Sequence, residues 1–295
     1  MTTPVTRPET GQVTRPVTRA YSPAAETARA YYNSADADAF YAAIWGGEDI
    51  HIGIYDTPQD DIAAASRRTV AALASLAPAL TASRHVLDIG AGFGGAARYL
   101  ASRFGCRVTA LNLSERENER NRALTDAQGL AGLVSVIDGA FEDIPLATAS
   151  VDLVWSQDAL LHSADRNGVF AEVARVLRPG GAFVLTDIMD SGRCDAASLA
   201  PVLARIYLAD LGSLAAYQAM GEASGLVLTE WRDMREQLPR HYAKVAAELA
   251  RRRGELAGQI SDAYMDRMLA GLAAWIEAGE RGCLDWGLMR FDRSA

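Results

Sequence analysis

The sequence has little of what a nucleic-acid-binding or membrane-spanning protein needs. Its formal net charge is −8, with 37 acidic against 29 basic residues, and only Lys244 among the basic residues is a lysine. It contains no basic run that could follow a phosphate backbone, and no apolar run has the length of a membrane span. These absences argue against nucleic acid and against a membrane as partners.

Cysteine is also scarce. The three cysteines, Cys106, Cys194 and Cys283, are far apart in the chain and form no CxxC pair. Such spacing is typical of reduced thiols, so we expect no disulfide, no zinc site and a cytoplasmic location. His51 follows the acidic residues at 48–49. Because no second cluster of ligands accompanies it, an alternating strand or loop explains it better than a metal site, and no bound metal is expected.

Composition divides the chain into a tail and a domain. Residues 1–22 repeat a Val-Thr-Arg-Pro unit, and because proline blocks a helix and little apolar surface is present, we expect this tail to be disordered. The whole chain is 49% hydrophobic and 22% charged, which suits one large globular domain over residues 23–295. Within that domain we expect an N-terminal lid at about residues 30–60 and a helical insertion at about residues 240–280.

Strand-like and helix-like segments alternate along the middle of the chain. Strands are predicted at residues 85–89, 107–113, 134–137, 151–156 and 182–188. Helices are predicted at residues 61–80, 94–104, 114–128 and 167–177. This alternation predicts an α/β fold in which a parallel sheet has helices on both faces. A ligand of such a fold binds at the carboxyl ends of the strands.

The remaining segments extend this pattern. The "RPGG" segment at residues 178–181 is predicted to be a turn before the fifth strand, and residues 196–225 are mostly helical. A sixth strand is predicted at residues 226–234 and a last one at residues 284–291. Between them, residues 242–280 have the apolar spacing of two or three helices. We expect this insertion to cover the strand ends together with the N-terminal segment.

A glycine-rich loop, "VLDIGAGFGG", ends the first predicted strand. Gly90, Gly92 and Gly94 permit a tight turn and let a ligand approach the backbone. The helix that follows presents free N–H groups at its N-terminus. The loop therefore predicts a binding site for a ligand of cofactor size.

Two other classes of protein stay open at this point. The spacing Gly90-x-Gly92-x-x-Gly95 also fits a dinucleotide-binding oxidoreductase. Asp88 argues against that alternative, because a dinucleotide strand is usually apolar there, whereas a carboxylate can serve an ammonium group. Asn112 also argues against it, since a dinucleotide site needs an acid for the ribose. The other alternative is a non-catalytic cofactor-binding or regulatory protein.

The stretch "VWSQDALLHSADR", residues 154–166, leaves the fourth predicted strand at the same edge of the sheet. If a helix begins there, Asp158 and His162 share one of its faces at i,i+4 spacing. The alternatives are an N-cap role for Asp158 and a helix-surface or capping position for His162. Composition alone does not separate these interpretations.

Several motifs together resemble known families. Class I S-adenosylmethionine-dependent methyltransferases are similar over residues 60–190, in "VLDIGAGFGG", "LNLS", "GAFEDIPL", "VDLVWSQDALLHS" and "RVLRPGGAFVLTDI". More narrowly, the chain resembles the sarcosine/dimethylglycine N-methyltransferases of glycine betaine synthesis, in "YYNSADADAFYAAIWGGEDIHIGIY", "HYAKVAAEL" and "WIEAGERGCLDWGLM". The resemblance implies a Rossmann-like, doubly wound seven-stranded sheet with an antiparallel last strand and a helical lid.

The resemblance also implies S-adenosylmethionine as cofactor. The positions that correspond to its binding residues are Asp88, Gly90, Ala91, Gly92, Asn112, Leu113, Ala140, Phe141 and Gln157. Most class I enzymes have an acid where Asn112 stands, and many have Asp where Ala140 stands. We therefore expect a neutral hydrogen bond to the ribose from Asn112 and a backbone contact from Ala140.

The same resemblance suggests residues for the chemistry. In the related phosphoethanolamine methyltransferases a tyrosine of the N-terminal segment pairs with a histidine, so His162 is expected to pair with Tyr32, or with Tyr31, and to accept the proton that the substrate amine must lose. The alternative for the two tyrosines is aromatic packing in the N-terminal lid. Asp158 would add negative potential where the quaternary ammonium product forms. Arg166 and Arg205 are equal candidates for the substrate carboxylate, and Tyr31 is a further substrate-binding candidate.

The resemblance therefore predicts an N-methyltransferase that converts sarcosine, dimethylglycine or both towards glycine betaine. The alternative within this class is a small-molecule N- or O-methyltransferase of specialised metabolism, because the shape of the pocket selects the acceptor. The expected partner is a small-molecule amine, and the expected state is a monomer or dimer.

Overall fold

The structure, a computed structural model, describes residues 21–45 and 47–294. The tail expected at residues 1–22 lies outside the described residues apart from its last two. Ser22 is the N-cap of the first helix, since its side chain accepts a hydrogen bond from the backbone N–H of Ala25.

Seven strands form one mixed sheet in the order β3-β2-β1-β4-β5-β7-β6. Their bounds are β1 His85–Ile89, β2 Arg107–Asn112, β3 Val134–Asp138, β4 Val151–Gln157, β5 Leu177–Asp190, β6 Leu226–Asp233 and β7 Leu284–Arg293. The first five strands pair in parallel, and β7 runs antiparallel between β5 and β6. The predicted seven-stranded α/β fold and its antiparallel last strand are confirmed.

Helices cover both faces of this sheet. Among the described residues they are α1 Pro23–Tyr32, α2 Ala35–Ile44, α3 Ile62–Ala74, α4 Gly95–Phe104, α5 Glu115–Ala127, α6 Arg166–Val176, α7 Ala196–Arg205, α8 Leu214–Ala223, α9 Gln237–Leu256 and α10 Asp262–Glu280. A short 3-10 helix at Leu160–His162 precedes α6. The insertion before the last strand consists of α9 and α10. None of the described helices is long and apolar enough to cross a membrane.

Alternation along the strands supplies two hydrophobic cores. Val86 of β1 and Leu153 of β4 point into the larger core, which also contains residues of the N-terminal helices and of α9 and α10. Their neighbours Leu87 and Val154 point to the opposite face, where they pack with residues of α6 and α8. Because successive side chains of a strand face opposite ways, both faces of the central strands are buried.

The predicted turn at residues 178–181 is part of β5 rather than a separate loop. The register against β4 jumps from the pair Val151–Leu177 to the pair Leu153–Ala182, so the intervening residues bulge out of the ladder. Gly180 has φ +75°, which glycine adopts at little cost. The turn chemistry was recognised, but the long strand around it was not.

The prediction of three reduced cysteines was wrong. Cys194 and Cys283 form a disulfide with Cα atoms 5.2 Å apart, although 89 positions separate them in the chain. The reason is the pairing of β5 with β7, whose ladder ends at Asp190 opposite Leu284. The chain just beyond each strand end therefore converges at one place. The expected cytoplasmic location was argued from free thiols, so the disulfide removes that argument.

Candidate active site

A cleft opens at the carboxyl edge of the sheet, where β1 lies between β2 and β4 and the strand order reverses. This main cleft has an empty volume of about 720 Å³. A smaller inner cavity of about 300 Å³ adjoins it, and both are lined by Ile50, Gly90 and Gln157. The site therefore lies where the alternation of strands and helices predicted it.

The residues expected to hold the cofactor all line these two spaces. Those of the main cleft are Gly90, Gly92, Asn112, Leu113, Ala140, Phe141 and Gln157. Asp88 and Ala91 line the inner cavity, together with Gly90 and Gln157. Four separate segments of the sequence thus meet at one edge of the sheet.

The glycine loop leaves no room for side chains. Gly90 and Gly92 have φ values of +73° and +51°, in the left-handed region that favours glycine. A Cβ atom at Gly90 would overlap the side chain of Ala159, and one at Gly92 would come within 2.9 Å of Ile50 Cδ1. A ligand in the cleft can therefore contact the backbone of this loop directly.

An acid lies beside Asn112 after all. The Asn112 amide donates a 2.8 Å hydrogen bond to Glu117 Oε2, and both side chains line the main cleft. Burial raises the pKa of Glu117 to about 7. The spacing Ser114-x-x-Glu117 matches a capping box, in which the glutamate turns back to its own helix. Ser114 does cap the helix, but the glutamate reaches into the cleft instead.

Asp88 supports the inner cavity from the end of β1. Its Oδ2 atom is buried and has no hydrogen-bond partner among the described residues. Burial, and then the nearby charge of Asp49, raise the pKa of Asp88 to about 7. A buried carboxylate in this position is poised to receive a cation.

Tyr32 and His162 meet in the main cleft. The Tyr32 hydroxyl lies 2.9 Å from His162 Nε2, and the two rings pack edge to face. Burial, followed by the positive charges of Arg205 and Arg166, lowers the pKa of His162 to about 4, so the imidazole is neutral at physiological pH. Of the two tyrosines considered for this contact, the structure brings only Tyr32 to the histidine.

The helix expected to begin at Asp158 is absent. Asp158 has φ +50°, a 3-10 turn follows it, and α6 begins only at Arg166 with Asp165 as its N-cap. The i,i+4 arrangement with His162 and the N-cap alternative for Asp158 were therefore both wrong. Left-handed backbone at a non-glycine residue is sparsely populated and is found at functional sites.

Contacts from distant elements hold the Asp158 carboxylate instead. It accepts hydrogen bonds from the Ile52 backbone N–H at 2.7 Å, the Thr186 hydroxyl at 2.9 Å and the Trp286 indole N–H at 2.8 Å. Three donors to one carboxylate stabilise its charged form, although burial raises the pKa of this group. Asp158 lines the main cleft, so its charge faces a ligand there.

The structure separates the two candidate arginines. The Arg166 guanidinium is occupied by Asp210 and by the carbonyl oxygens of Leu160 and Leu161, and the residue lines another crevice. The Arg166 donors are therefore engaged by Asp210, between α7 and α8, and by the residues before α6, which favours Arg205 as the candidate for the substrate carboxylate. Arg205 forms no ion pair with a carboxylate of the described residues.

Aromatic rings surround Arg205. Its guanidinium lies 5.0 to 5.8 Å from the ring centroids of Trp45, Tyr242 and Trp275. Tyr31 belongs to the same aromatic enclosure, where its hydroxyl is 3.1 Å from that of Tyr264. The rings of Tyr31 and Tyr32 are in contact, with centroids 4.9 Å apart. The enclosure therefore adjoins the Tyr32–His162 contact in the main cleft.

Known proteins are similar to this chain along most of its length. Residues 87–185 match a family model described as a methyltransferase domain. A sarcosine/dimethylglycine N-methyltransferase of Halorhodospira halochloris is 51% identical over 274 residues, which cover 93% of this chain and 98% of that protein. The chain belongs to the sarcosine/dimethylglycine N-methyltransferase family.

Two further relatives agree with this membership. A dimethylglycine N-methyltransferase of Parasynechococcus marenigrum (strain WH8102) is 51% identical over 263 residues, covering 89% of this chain and 94% of that protein. A crystal structure of a candidate sarcosine dimethylglycine methyltransferase from Galdieria sulphuraria has 43% identity and a TM-score of 0.84. It covers 90% of this chain and 99% of that one. The chain is an S-adenosylmethionine-dependent N-methyltransferase.

The cleft fits that cofactor on structural grounds. The backbone of the glycine loop is open to a ligand, because any Cβ atom at Gly90 or Gly92 would fill the approach. The Asn112–Glu117 pair offers polar atoms at the end of β2, where the resemblance places the ribose. The orphaned oxygen of Asp88 offers an acceptor for an ammonium group at the end of β1. Membership of the methyltransferase family rules out the two alternatives from the sequence, a dinucleotide-binding oxidoreductase and a non-catalytic cofactor-binding or regulatory protein.

Sequence reasoning did not predict that Glu117 lines the main cleft or that Asp49 and His51 line the inner cavity. The available signal for Glu117 was its position at the start of a helix with an unusually polar buried face, since α5 also buries Asn118 and Asn121. His51 was noticed but interpreted as structural. Asp49 had no local signal, since its proximity to Asp88 arises only in the folded chain.

Proposed function

We propose that this enzyme methylates sarcosine and dimethylglycine, the second transfer giving glycine betaine. The proposal rests mainly on the surroundings of Arg205. It is a buried guanidinium, close enough to His162 for its charge to lower the histidine pKa, and no carboxylate of the described residues neutralises it. Because burying an unpaired charge is costly, such a group is best explained by an anionic ligand, and a guanidinium fork matches a carboxylate.

The other end of the proposed substrate is an amine that becomes a cation. The Asp158 carboxylate faces the main cleft and supplies negative potential there. Tyrosine rings near the cleft add faces that attract a quaternary ammonium. We therefore propose that a small amino acid with a methylated nitrogen binds with its carboxylate towards Arg205 and its amine towards Asp158, so that opposite charges are matched at each end.

The residues of the cleft mainly position the acceptor. S-adenosylmethionine supplies a sulfonium methyl group, which is already a good electrophile. Alignment of the amine lone pair with that group can provide most of the acceleration. The substrate must lose a proton before its nitrogen can attack, and the neutral imidazole of His162 lies in the cleft to accept it. Tyr32 holds the imidazole in place by its hydrogen bond.

Acceptor screening tests the proposal. Purified enzyme would be offered glycine, sarcosine, dimethylglycine, phosphoethanolamine and N,N-dimethylethanolamine, and formation of S-adenosylhomocysteine would be measured. Dimethylglycine and N,N-dimethylethanolamine carry the same tertiary amine and differ in the carboxylate. We expect transfer to sarcosine and dimethylglycine and little to the alcohol. Robust transfer to a phenol or sugar, with none to either amino acid, would establish the alternative of a specialised small-molecule methyltransferase.

Replacing Arg205 gives a residue-specific prediction. Arg205→Gln should raise KM for dimethylglycine about 10- to 100-fold, the range of a lost charge-assisted hydrogen bond, while the Kd for S-adenosylhomocysteine stays close to that of the wild type. The matched control is Arg251→Gln, which removes the same charge from an exposed ion pair on α9. An unchanged KM in Arg205→Gln would show that the substrate carboxylate binds elsewhere.

A further inference from the structure

A buried group of charged and polar side chains holds the turn that leads to His162. The turn is the short 3-10 helix Leu160–His162, which follows the left-handed residue Asp158 and precedes α6. A single 3-10 turn has few hydrogen bonds, and their geometry is poorer than in an α-helix. The direction of the His162 side chain therefore depends on contacts from outside the turn.

Arg166, the first residue of α6, binds this turn through two peptide carbonyl groups. Its Nε donates to the Leu160 carbonyl oxygen and its Nη2 to the Leu161 carbonyl oxygen, both at 3.2 Å. Its Nη1 donates to Asp210 Oδ1 at 2.6 Å, which fixes the other side of the guanidinium. Because the donors of a guanidinium lie in one rigid plane, the two peptide groups before His162 are held in fixed relative positions.

Asp187 of β5 contacts the same turn from the sheet. Its Oδ1 accepts a long hydrogen bond, 3.4 Å, from the Leu161 backbone N–H, and its Oδ2 accepts one from the Tyr217 hydroxyl of α8. Asp187 and Tyr217 are completely buried. Leu161, the residue before His162, therefore has its N–H bound to an acid and its carbonyl bound to an arginine.

Asp187, Tyr217 and Arg166, which we call the turn-holding network, border an apolar core. Tyr217 packs in the smaller core, with its ring centroid 5.8 Å from that of Phe170. Burying a carboxylate there is unfavourable even when it is hydrogen-bonded, and apolar side chains could pack against a turn that has no task. The network is therefore best explained by a requirement on the direction of the turn, whose last residue, His162, lines the main cleft.

We propose that the turn-holding network positions the imidazole of His162 for proton transfer from the acceptor. Its three members are positioning residues: Tyr32 fixes the ring from the cleft side through its hydroxyl, and the network fixes the backbone from the core side. Displacement of a catalytic group by about 1 Å can slow a reaction by about 10²-fold. The inference rests on the proposed role of His162 as proton acceptor, and it gives Arg166 a function other than binding the substrate.

Asp187 makes the action of the network depend on pH. The charged and titratable groups that face it are Asp158 at the exit of β4, Arg166, Tyr217 and Tyr242 of α9. Burial raises the pKa of Asp187 to about 7, against the effect of the Tyr217 hydrogen bond and with that of the charge of Asp158. Above that pH the group is a charged acceptor for the turn, and below it a neutral and weaker one.

The variant Asp187→Asn tests this dependence at two pH values. An amide is neutral at every pH, as is the protonated acid. At pH 6 the kcat of the variant for dimethylglycine should therefore be close to that of the wild type. At pH 8 it should be about 10-fold lower, the effect of one lost hydrogen bond to a charged group. A loss of the same size at both pH values would mean that the side chain only supports the fold, and would overturn the proposal.

Tyr217→Phe provides a test that does not depend on the folding of Asp187→Asn. It should lower kcat at pH 8 about 10-fold, because the acid loses a partner that orients it and favours its charged form. KM for dimethylglycine and Kd for S-adenosylhomocysteine should stay close to the wild-type values. The control Tyr99→Phe removes a hydroxyl group from a ring of α4 that contacts Phe104 and Arg67 outside the network, and it should leave kcat unchanged. Wild-type kcat in folded Tyr217→Phe enzyme would overturn the proposal.

A double-mutant cycle shows whether the network acts through His162. In a His162→Ala background, Tyr217→Phe should cause no further loss of kcat, because the group that it positions is gone. Independent, multiplicative losses in the double variant would overturn the proposal. Wild-type kcat in His162→Ala alone would contradict the proposed role of the histidine, and this inference with it. Absence of transfer to sarcosine and dimethylglycine by the wild type would instead contradict the proposed function.

Discussion

Single side chains in the cleft owe their protonation states to burial. The pKa of His162 falls to about 4 while those of Asp88 and Glu117 rise to about 7, because a buried site disfavours the charged form of each group. Arg205 keeps its charge, since a guanidinium does not deprotonate in proteins. The cleft therefore contains a neutral imidazole whose pKa is lowered in part by the charge of the Arg205 guanidinium.

Replacing His162 tests its proposed role in proton transfer. His162→Ala should lower kcat for dimethylglycine about 10²-fold, the lower part of the range for a general base, because alignment of the acceptor persists. Tyr32→Phe should give a smaller loss in the same direction. Since the histidine is neutral well below pH 6, its titration should add no inflection to kcat between pH 6 and pH 9.5.

The controls for these variants are the Kd for S-adenosylhomocysteine and the thermal midpoint. Both report whether the cleft is intact after a buried ring has been removed. If folded His162→Ala enzyme keeps the wild-type kcat across this pH range, the histidine has only a structural role in the cleft.

Between elements, the pairing of β5 with β7 organises much of the site. Through this pairing Trp286 of β7 reaches Asp158, and Thr186 of β5 donates to the same carboxylate. The disulfide joins the chain beyond the ends of the same two strands, next to α7, which carries Arg205 at its end. The side of the cleft that contains Asp158 therefore depends on β7, the last strand of the sequence.

The contribution of the disulfide to the stability of this region can be measured by removing it. Cys194→Ser should lower the free energy of unfolding by about 2 to 4 kcal/mol, because a crosslink over a long loop restricts the unfolded chain. A reducing agent should destabilise the wild type by a similar amount and leave Cys194→Ser unaffected. Thermal unfolding with and without reductant checks this, and a reductant effect of equal size in both proteins would contradict it.

Across the molecule as a whole, burial raises the pKa of several acidic side chains. Besides Asp88 and Glu117, burial raises the pKa of Asp187 to about 7. An acid whose pKa is higher in the folded state stabilises the fold at low pH and loses that contribution as the pH rises through the folded value. The buried histidines contribute to the pH dependence of stability with the opposite sign. The pKa of His162 falls to about 4 and that of His241 to about 3, so their burial destabilises the fold as the pH falls.

Glu117→Gln isolates one of these contributions. Its carboxyl group should favour folding fully below pH about 4.5, its ordinary pKa, and lose that effect as the pH rises to about 7. The stability of the variant relative to the wild type should therefore increase from pH 4.5 to pH 8, by on the order of 2 to 3 kcal/mol. Calorimetry of the ligand-free proteins measures this difference. The control is Glu119→Gln at an exposed position of α5, and a difference that shrinks with pH would contradict the prediction.

Much of the fold followed from local sequence signals. The alternation of apolar strands and helices predicted the parallel sheet, and the loop from Gly90 to Gly94 predicted the edge at which a ligand binds. These signals are local because hydrophobic periodicity and glycine conformation depend on neighbours in the chain. The family motifs extended this to cofactor positions spread over four segments, all of which line the cleft or the inner cavity.

Only the tertiary structure decided the partners of the site residues. Asp158 looked like a helix cap, yet its donors come from residues 52, 186 and 286. The Cys194–Cys283 bond, the ion pair of Arg166 with Asp210 and the proximity of Asp49 to Asp88 likewise depend on chain segments distant in sequence. Sequence periodicity carries no information about such pairs, because strand order and register bring them together only when the sheet assembles.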